Sequence, residues 1–213
     1  MGSLTQLQRS VVIGSLLGDG YLRIVRGRKD AFLEVNHAEH QREYVDWKYS
    51  VLQSISRSAP KARSGNGKRV AYRFTTRQHP ELTKLYRMFY PDGRKSVPIM
   101  KIDPIAAAVW FMDDGSKCRD RDVYLNTQQF DPNDQKRCLD MLEELGIQGS
   151  LNRDKRYWRI RIMKSSLPAL WKMITPYTIP SMSYKLGYNP VETYSQKRME
   201  FRQTARANTP TPF

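Results

Sequence analysis

Two stretches of this chain, 95 residues apart, have the same shape. "VVIGSLLGDGYL" (residues 11–22) passes from apolar through small residues to Asp19 and Gly20, and "AAAVWFMDDGSK" (residues 106–117) does so again, reaching Asp114 and Gly115. Either stretch alone reads as an apolar helix ending beside a glycine, its acid a terminal residue and nothing more. Recurrence with matched surroundings points instead to one supersecondary plan used twice.

The surroundings do match. After Gly20, "YLRIVRGRKDAFLEVNHAEH" mixes β-type and basic residues around a turn at Gly27, a hairpin pattern, and "QREYVDWKYSVLQSI" puts Tyr44, Trp47, Val51, Leu52 and Ile55 at helical spacing. "KARSGNGKRVAYRFTTRQ" then gives a turn and an alternating strand. "HPELTKLYRMFYPDG" gives a helix with an early proline and a stripe of Leu82, Leu85 and Phe89. The second copy follows the same order: hairpin-like "SKCRDRDVYLNTQQF", helix "DPNDQKRCLDMLEELG" with an Asp start and a Gly stop, strand pair "LNRDKRYWRIRIMK", helix "SSLPALWKMITPYTIP". Lys95 lies 76 residues after Asp19, and Lys185 lies 71 after Asp114. The expected fold class is α+β, a pseudo-twofold tandem of αββαββα units spanning residues 1–100 and 101–204. "SVPIMKIDP" marks the joint, and residues 205–213 form a polar, Pro-rich, frayed tail.

The charge balance narrows the partner. Against 21 Asp+Glu stand 36 Lys+Arg, a formal net charge of +15, while 12 Tyr, 7 Phe and 4 Trp are too many for a disordered basic tail. A folded, strongly cationic surface suits a polyanion, nucleic acid foremost. No apolar run approaches the roughly 20 residues of a membrane span, and "MGSLTQLQRS" has no secretory pattern, so the expected location is intracellular, not secreted. Cys118 and Cys138 have no zinc spacing and read as free thiols.

If the two first helices pack side by side about a pseudo-twofold axis, their apolar faces become the seam between the halves and their ends bring Asp19 and Asp114 together. Gly14 and Gly18 would let the backbones approach closely, although Val109 and Asp113 stand at the corresponding places of the second copy. Two close carboxylates repel unless a cation lies between them, and Mg²⁺, which favours carboxylate oxygens, waters and phosphate oxygens, suits a phosphate-directed protein. A lysine near each scissile phosphate, Lys95 or Lys185, would stabilise transition-state charge or polarise the attacking water.

"GSLLGDGYL" and "AVWFMDDGSK", with "YLNTQ", the "KSVP" segment and "PSMSYKL", resemble the LAGLIDADG homing endonucleases in their single-chain, two-motif, group I intron-encoded form. The likeness runs over about residues 5–190. It implies a site-specific double-strand DNA endonuclease that hydrolyses phosphodiesters with Mg²⁺, leaves 3′ overhangs and promotes intron mobility; Mn²⁺ would substitute and Ca²⁺ would support binding without cleavage. It implies that Asp19 and Asp114 are the metal-binding catalytic acids, helped by the carbonyls of Gly18 and Asp113, and that Lys95 and Lys185 are the active-site lysines. Asn36 or His37, and Asn126 or Gln128, fall where the family orders active-site water.

The resemblance also implies two curved antiparallel sheets forming a saddle over a long asymmetric duplex site, engaged by a monomer. The strands suit the task. Arg73 and Arg77 alternate with Tyr72, Phe74 and Thr76, and Arg159 and Arg161 with Trp158, Ile160 and Ile162, leaving one face for guanine edges. Arg26, Arg28, Lys29, Lys61, Arg63, Lys68, Arg69, Arg153, Lys155 and Arg156, in turns, suit phosphates, and Arg23, Lys117, Arg119 and Arg121 complete the expected DNA-binding set. His37 and His40 have no third ligand nearby in sequence, so zinc is not expected. Trp47, Trp110, Trp158 and Trp171 read as core. Two rivals share the scaffold: an RNA-binding maturase acting on host intron RNA, and a regulator without chemistry, against which both acids and both lysines argue.

Overall fold

The computed structural model describes residues 2–65, 70–119 and 122–186. Lys68, Arg69, Arg121 and the expected tail lie outside them, as does the side chain of Arg119. The element order is α1 (Gln6–Leu17), β1 (Tyr21–Arg23), β2 (Phe32–Ala38), α2 (Arg42–Leu52), β3 (Lys61–Ser64), β4 (Val70–Thr75) and α3 (Pro80–Phe89), then α4 (Pro104–Asp114), β5 (Gly115–Arg119), β6 (Asp122–Leu125), α5 (Pro132–Glu144), β7 (Gly149–Asp154), β8 (Tyr157–Ile162) and α6 (Leu167–Ile174). This is αββαββα twice. The strands form two antiparallel four-stranded sheets of identical topology, β1-β2-β4-β3 and β5-β6-β8-β7.

Local chemistry sets the helix starts. Thr5 caps α1 with a reciprocal bond to Gln8, and Asp103 and Asp131 each cap a helix that opens with proline. Gly146 ends the α5 region at φ +75°, a conformation that favours glycine. Across the joint, Ser10 donates to the Asp103 carboxylate, so the starts of α1 and α4 are tied at one end of the seam.

α1 and α4 run side by side as the central seam, with Val11–Gly18 and Ala106–Asp114 buried. A Cβ at Gly14 would sit 2.5 Å from the Ala106 carbonyl oxygen and 2.6 Å from the Val109 Cβ; one at Gly18 would sit 2.4 Å from the Asp113 Cβ. The missing side chains of α1 are the space that the bulkier Val109 and Asp113 of α4 occupy. That is how two unlike copies of the motif fit together.

Register fixes residue-by-residue equivalence between the halves. Tyr21 pairs with Glu34, and Ser116 with Tyr124, so positions correspond at +95 before each first hairpin and +90 after it. The buried rows of α2 (Tyr44, Val45, Lys48, Leu52) and α5 (Asp134, Gln135, Cys138, Leu142) obey the same +90. The alternation expected in the strands holds, with Tyr72, Phe74, Ile160 and Ile162 buried and Arg73, Arg159 and Arg161 on the opposite face. Trp158 departs from the core assignment: it is 43% exposed, at the end of β8 beside the β7–β8 turn, where burial begins only at Ile160.

Candidate active site

The acids stand at the same end of the seam in unlike settings. α4 stays helical through Asp114, whereas α1 ends at Leu17 and Asp19 lies two residues beyond. The Asp19 side chain is half-exposed; Asp114 is buried, and its Oδ2 has no hydrogen-bond donor among the described residues. Burial, then the charges of Asp19 and Asp113, hold the Asp114 carboxyl well above the usual carboxylate range. Burial and Asp113 raise Asp19 as well. An orphaned buried carboxylate oxygen beside a second raised carboxyl is the chemistry a hard divalent cation satisfies, and the donor set fits one.

Each acid is accompanied by a lysine on the carbonyl just before it. Lys95 Nζ donates to the Gly18 carbonyl at 2.6 Å and to the Gly20 carbonyl at 2.9 Å; Lys185 Nζ donates to the Asp113 carbonyl at 2.6 Å. Burial lowers both ammonium groups, Lys95 to about 8. Lys95 is set in place by its neighbours, since Ser96 Oγ and the Val97 amide donate to Asp134 on α5 at 2.7 and 3.0 Å.

Around the acids the polar residues divide. Asp19, Asn36 and His37 line one cavity of about 740 Å³. Asn126 donates to the Asp114 carbonyl through its amide nitrogen at 3.0 Å and its side chain at 2.9 Å, while Gln128 donates to Asp154 Oδ2 at 3.0 Å.

Sequence reasoning missed Lys48. Its ammonium, fully buried on α2, donates to Asp113 Oδ1 at 2.8 Å and Oδ2 at 3.0 Å and lies 3.3 Å from His37 Nε2. The Tyr44 hydroxyl donates to Asp113 Oδ1 at 2.7 Å, and the Asp19 amide donates to Oδ2 at 3.2 Å. Burial alone would raise the Asp113 carboxyl; the Lys48 charge, His37 and these bonds overcome it and hold it below the usual range. Burial and then Lys48 lower His37 to about 4, so the imidazole is neutral at pH 7, accepting from Lys48 at Nε2 with Nδ1 3.6 Å from Asp19 Oδ2. Asp19, His37 and Asp113 therefore bring three ligand-type atoms within 4.8 Å of one another, the third partner that the sequence did not supply for His37. The four acceptor positions of Asp113 are nevertheless already filled, and Lys48 is the cation there. The signal for Lys48 was its place in the buried row Tyr44–Lys48–Leu52.

A basic groove lies on the first sheet. Arg28, Arg57, Lys61, Arg63, Arg73 and Arg77 line a groove of about 850 Å³, Arg57 having gone unremarked in the sequence. Arg23, Arg26 and Lys29 are exposed on or beside β1. In the second sheet Arg153, Lys155 and Arg156 are exposed at the β7–β8 turn, and Lys117 is half-buried on β5. Several arginines expected to face bases are also engaged within the chain: Arg73 with Glu34 at 3.3 Å, Arg161 with Asp122 at 2.5 Å, and Arg159 over the Tyr124 ring at 3.8 Å. Among the described residues no helix is long and apolar enough to cross a membrane.

Similarity to known proteins follows the same lines. Cytochrome b mRNA maturase bI2 of Debaryomyces hansenii is 28% identical over 83% of this chain and 72% of its own length. The Wickerhamomyces canadensis protein named "Probable intron-encoded endonuclease 1" is 27% identical over 88% of this chain and 87% of its own. Of two further curated relatives the chain spans 49% and 48%, about half their length. The structure of the homing endonuclease I-WcaI bound to its DNA recognition sequence has the same fold, with a TM-score of 0.80 at 24% identity over 87% of this chain and 88% of that one. A family model described as the LAGLIDADG DNA endonuclease family matches residues 9–170, and the chain belongs to that family.

Proposed function

We propose that this chain is a site-specific endonuclease that makes a Mg²⁺-dependent double-strand cut in a long asymmetric DNA site, leaves 3′ overhangs and so promotes mobility of its host intron. The observation that carries the reading is the matched pair of acids at the end of the seam, each with a lysine on the preceding carbonyl. The Asp19 and Asp114 carboxylates, with the carbonyls of Gly18 and Asp113, would hold the cation. Bound there, Mg²⁺ supplies a water of lowered pKa and neutralises charge gathering on the phosphodiester. Lys95 and Lys185 keep ammonium groups beside the reacting phosphate, and Asn36, His37, Asn126 and Gln128 are the candidates for ordering water around it. The groove lined by Arg28, Arg57 and Arg63 suits a phosphate backbone, and the two unlike sheets suit two unlike half-sites. Each chain carries both halves, so it acts as a monomer wherever its host intron resides.

A test is incubation with DNA joining the two sequences that flank the host intron. Mg²⁺ or Mn²⁺ gives double-strand cuts, Ca²⁺ gives binding without cutting, and Asp19→Asn or Asp114→Asn lowers the cut rate by about a hundredfold or more with binding kept. Normal cutting by both variants would overturn the assignment. A second reading, an intron RNA maturase, is favoured by the Debaryomyces relative. It is the better one if the chain promotes splicing of its intron RNA and leaves the joined DNA intact.

A further inference from the structure

The lysines and acids repeat in both halves, but the Lys48–Asp113 pair does not. By the register, the equivalents of His37, Tyr44, Lys48 and Asp113 are Thr127, Asp134, Cys138 and Gly18. Gly18 has no side chain to send across the seam, and the row that would receive one presents an apolar thiol. Backbone geometry differs in parallel. Asp114 lies within α4, so the helix ladder holds its N–H. Asp19 lies beyond the last residue of α1, and its N–H goes to the Asp113 carboxylate at 3.2 Å. That carboxylate is fixed in turn by Lys48 and Tyr44.

We propose that Asp113, fixed by Lys48, is a positioning residue for Asp19 alone, a one-sided clamp that crosses the seam and makes the two strand cuts depend on different supports. This rests on the nuclease reading above for its kinetic consequence. The clamp itself is a property of the metal-free protein. Asp114 needs no such clamp because its helix supplies the same constraint. The carboxylates proposed to hold the metal are those of Asp19 and Asp114; the Asp113 carboxylate, occupied by Lys48 and Tyr44, acts on the site through the bond that it accepts from the Asp19 amide.

The test uses two double variants, because a single change would strand a buried charge. Lys48→Met with Asp113→Ala removes both the charge and the acceptor. Lys48→Met with Asp113→Asn removes the charge but keeps an oxygen for the Asp19 amide. Strand-resolved cleavage of a doubly end-labelled duplex should show the Ala pair slowing one strand about tenfold more than the other, with nicked product accumulating, and the Asn pair restoring the strand ratio close to that of the parent. General loss of stability would slow both strands alike. In the metal-free, DNA-free protein, the Asp19 amide proton should move upfield in the Ala pair and stay near its parental position in the Asn pair. Equal slowing of both strands with an unmoved Asp19 amide would overturn the proposal. If the parent cuts neither strand, the nuclease reading fails and the amide shift alone decides the clamp.

Discussion

Lys48 and Cys138 occupy one position on equivalent helices, yet one carries a buried ammonium and the other a thiol that burial pushes well above its ordinary range. The cause lies across the seam. α4 sends the Asp113 carboxylate toward α2, where Lys48, Tyr44 and the nearby His37 meet it; Gly18, the equivalent of Asp113 on the other side, has no side chain to send, and α5 has Cys138 in place of Lys48 and uses Asp134 to hold the Lys95 segment. The parts that would do chemistry are duplicated faithfully, and the parts that support them are not. If the proposed site is right, symmetry is needed only in the acids and lysines and not in the residues that support them.

The comparison breaks most readily at its charged side. Lys48→Met should strand Asp113 in the interior and cost about 3–5 kcal/mol of folding stability, whereas Cys138→Ala should cost roughly 1 kcal/mol. Urea denaturation of both variants checks this, and equal losses would mean that the two sides are energetically alike. The next effect is steric. Gly14→Ala, whose Cβ would press on the Ala106 carbonyl and Val109, should cost about 2–3 kcal/mol. Adding Val109→Ala should recover roughly 1 kcal/mol of the sum of the single losses, since the new methyl takes part of the vacated space. Strict additivity in the same denaturation series would show that α1 and α4 do not meet there.

Much of this was legible in the chain because it is local. The Asp-Gly ends, the order of elements, the Asp131–Pro132 start and the Gly146 stop are written within a few residues of where they act. What escaped was set by residues far away. Nothing in the local sequence around Tyr44 and Leu52 marks Lys48 as paired, because its partner Asp113 comes from 65 residues away. Trp158 shares its strand face with Ile160 and Ile162, yet it lies at the strand end beside the turn and is exposed. Arg161 and Arg159 read as free cations, yet Asp122 and Tyr124 meet them from the neighbouring strand β6. The unlike seam is legible as Gly14 and Gly18 against Val109 and Asp113; that the mismatch is complementarity depends on how closely α1 and α4 pack.

The smallest predicted effect separates two neighbouring acids. Asp114 is raised by burial and then by Asp19 and Asp113, while Asp113 is held low by Lys48 against its burial. A carboxyl raised in the folded state adds stability fully present below its unfolded pKa and lost as pH rises through the folded value; at pH 7 Asp114 is on the losing side of that window. A lowered carboxyl adds stability above its unfolded pKa and loses it as pH falls through the folded value, so Asp113 is on the gaining side at pH 7. In chelator at pH 7, Asp114→Asn should therefore raise Tm by about 3 °C, the shift that roughly 1 kcal/mol gives in a chain of this size, and Asp113→Asn should lower it by more, because it strands the buried Lys48 ammonium. The Asp114→Asn gain should shrink as pH is lowered toward 4, where the parental carboxyl is already protonated. It should also shrink when Mg²⁺ is added to the parent, because a cation between the carboxylates relieves the same repulsion. Thermal melts across pH, with and without Mg²⁺, read both signs at once. A fall in Tm for Asp114→Asn in chelator would show that its carboxylate is satisfied without a cation, and the two acids would then share one role.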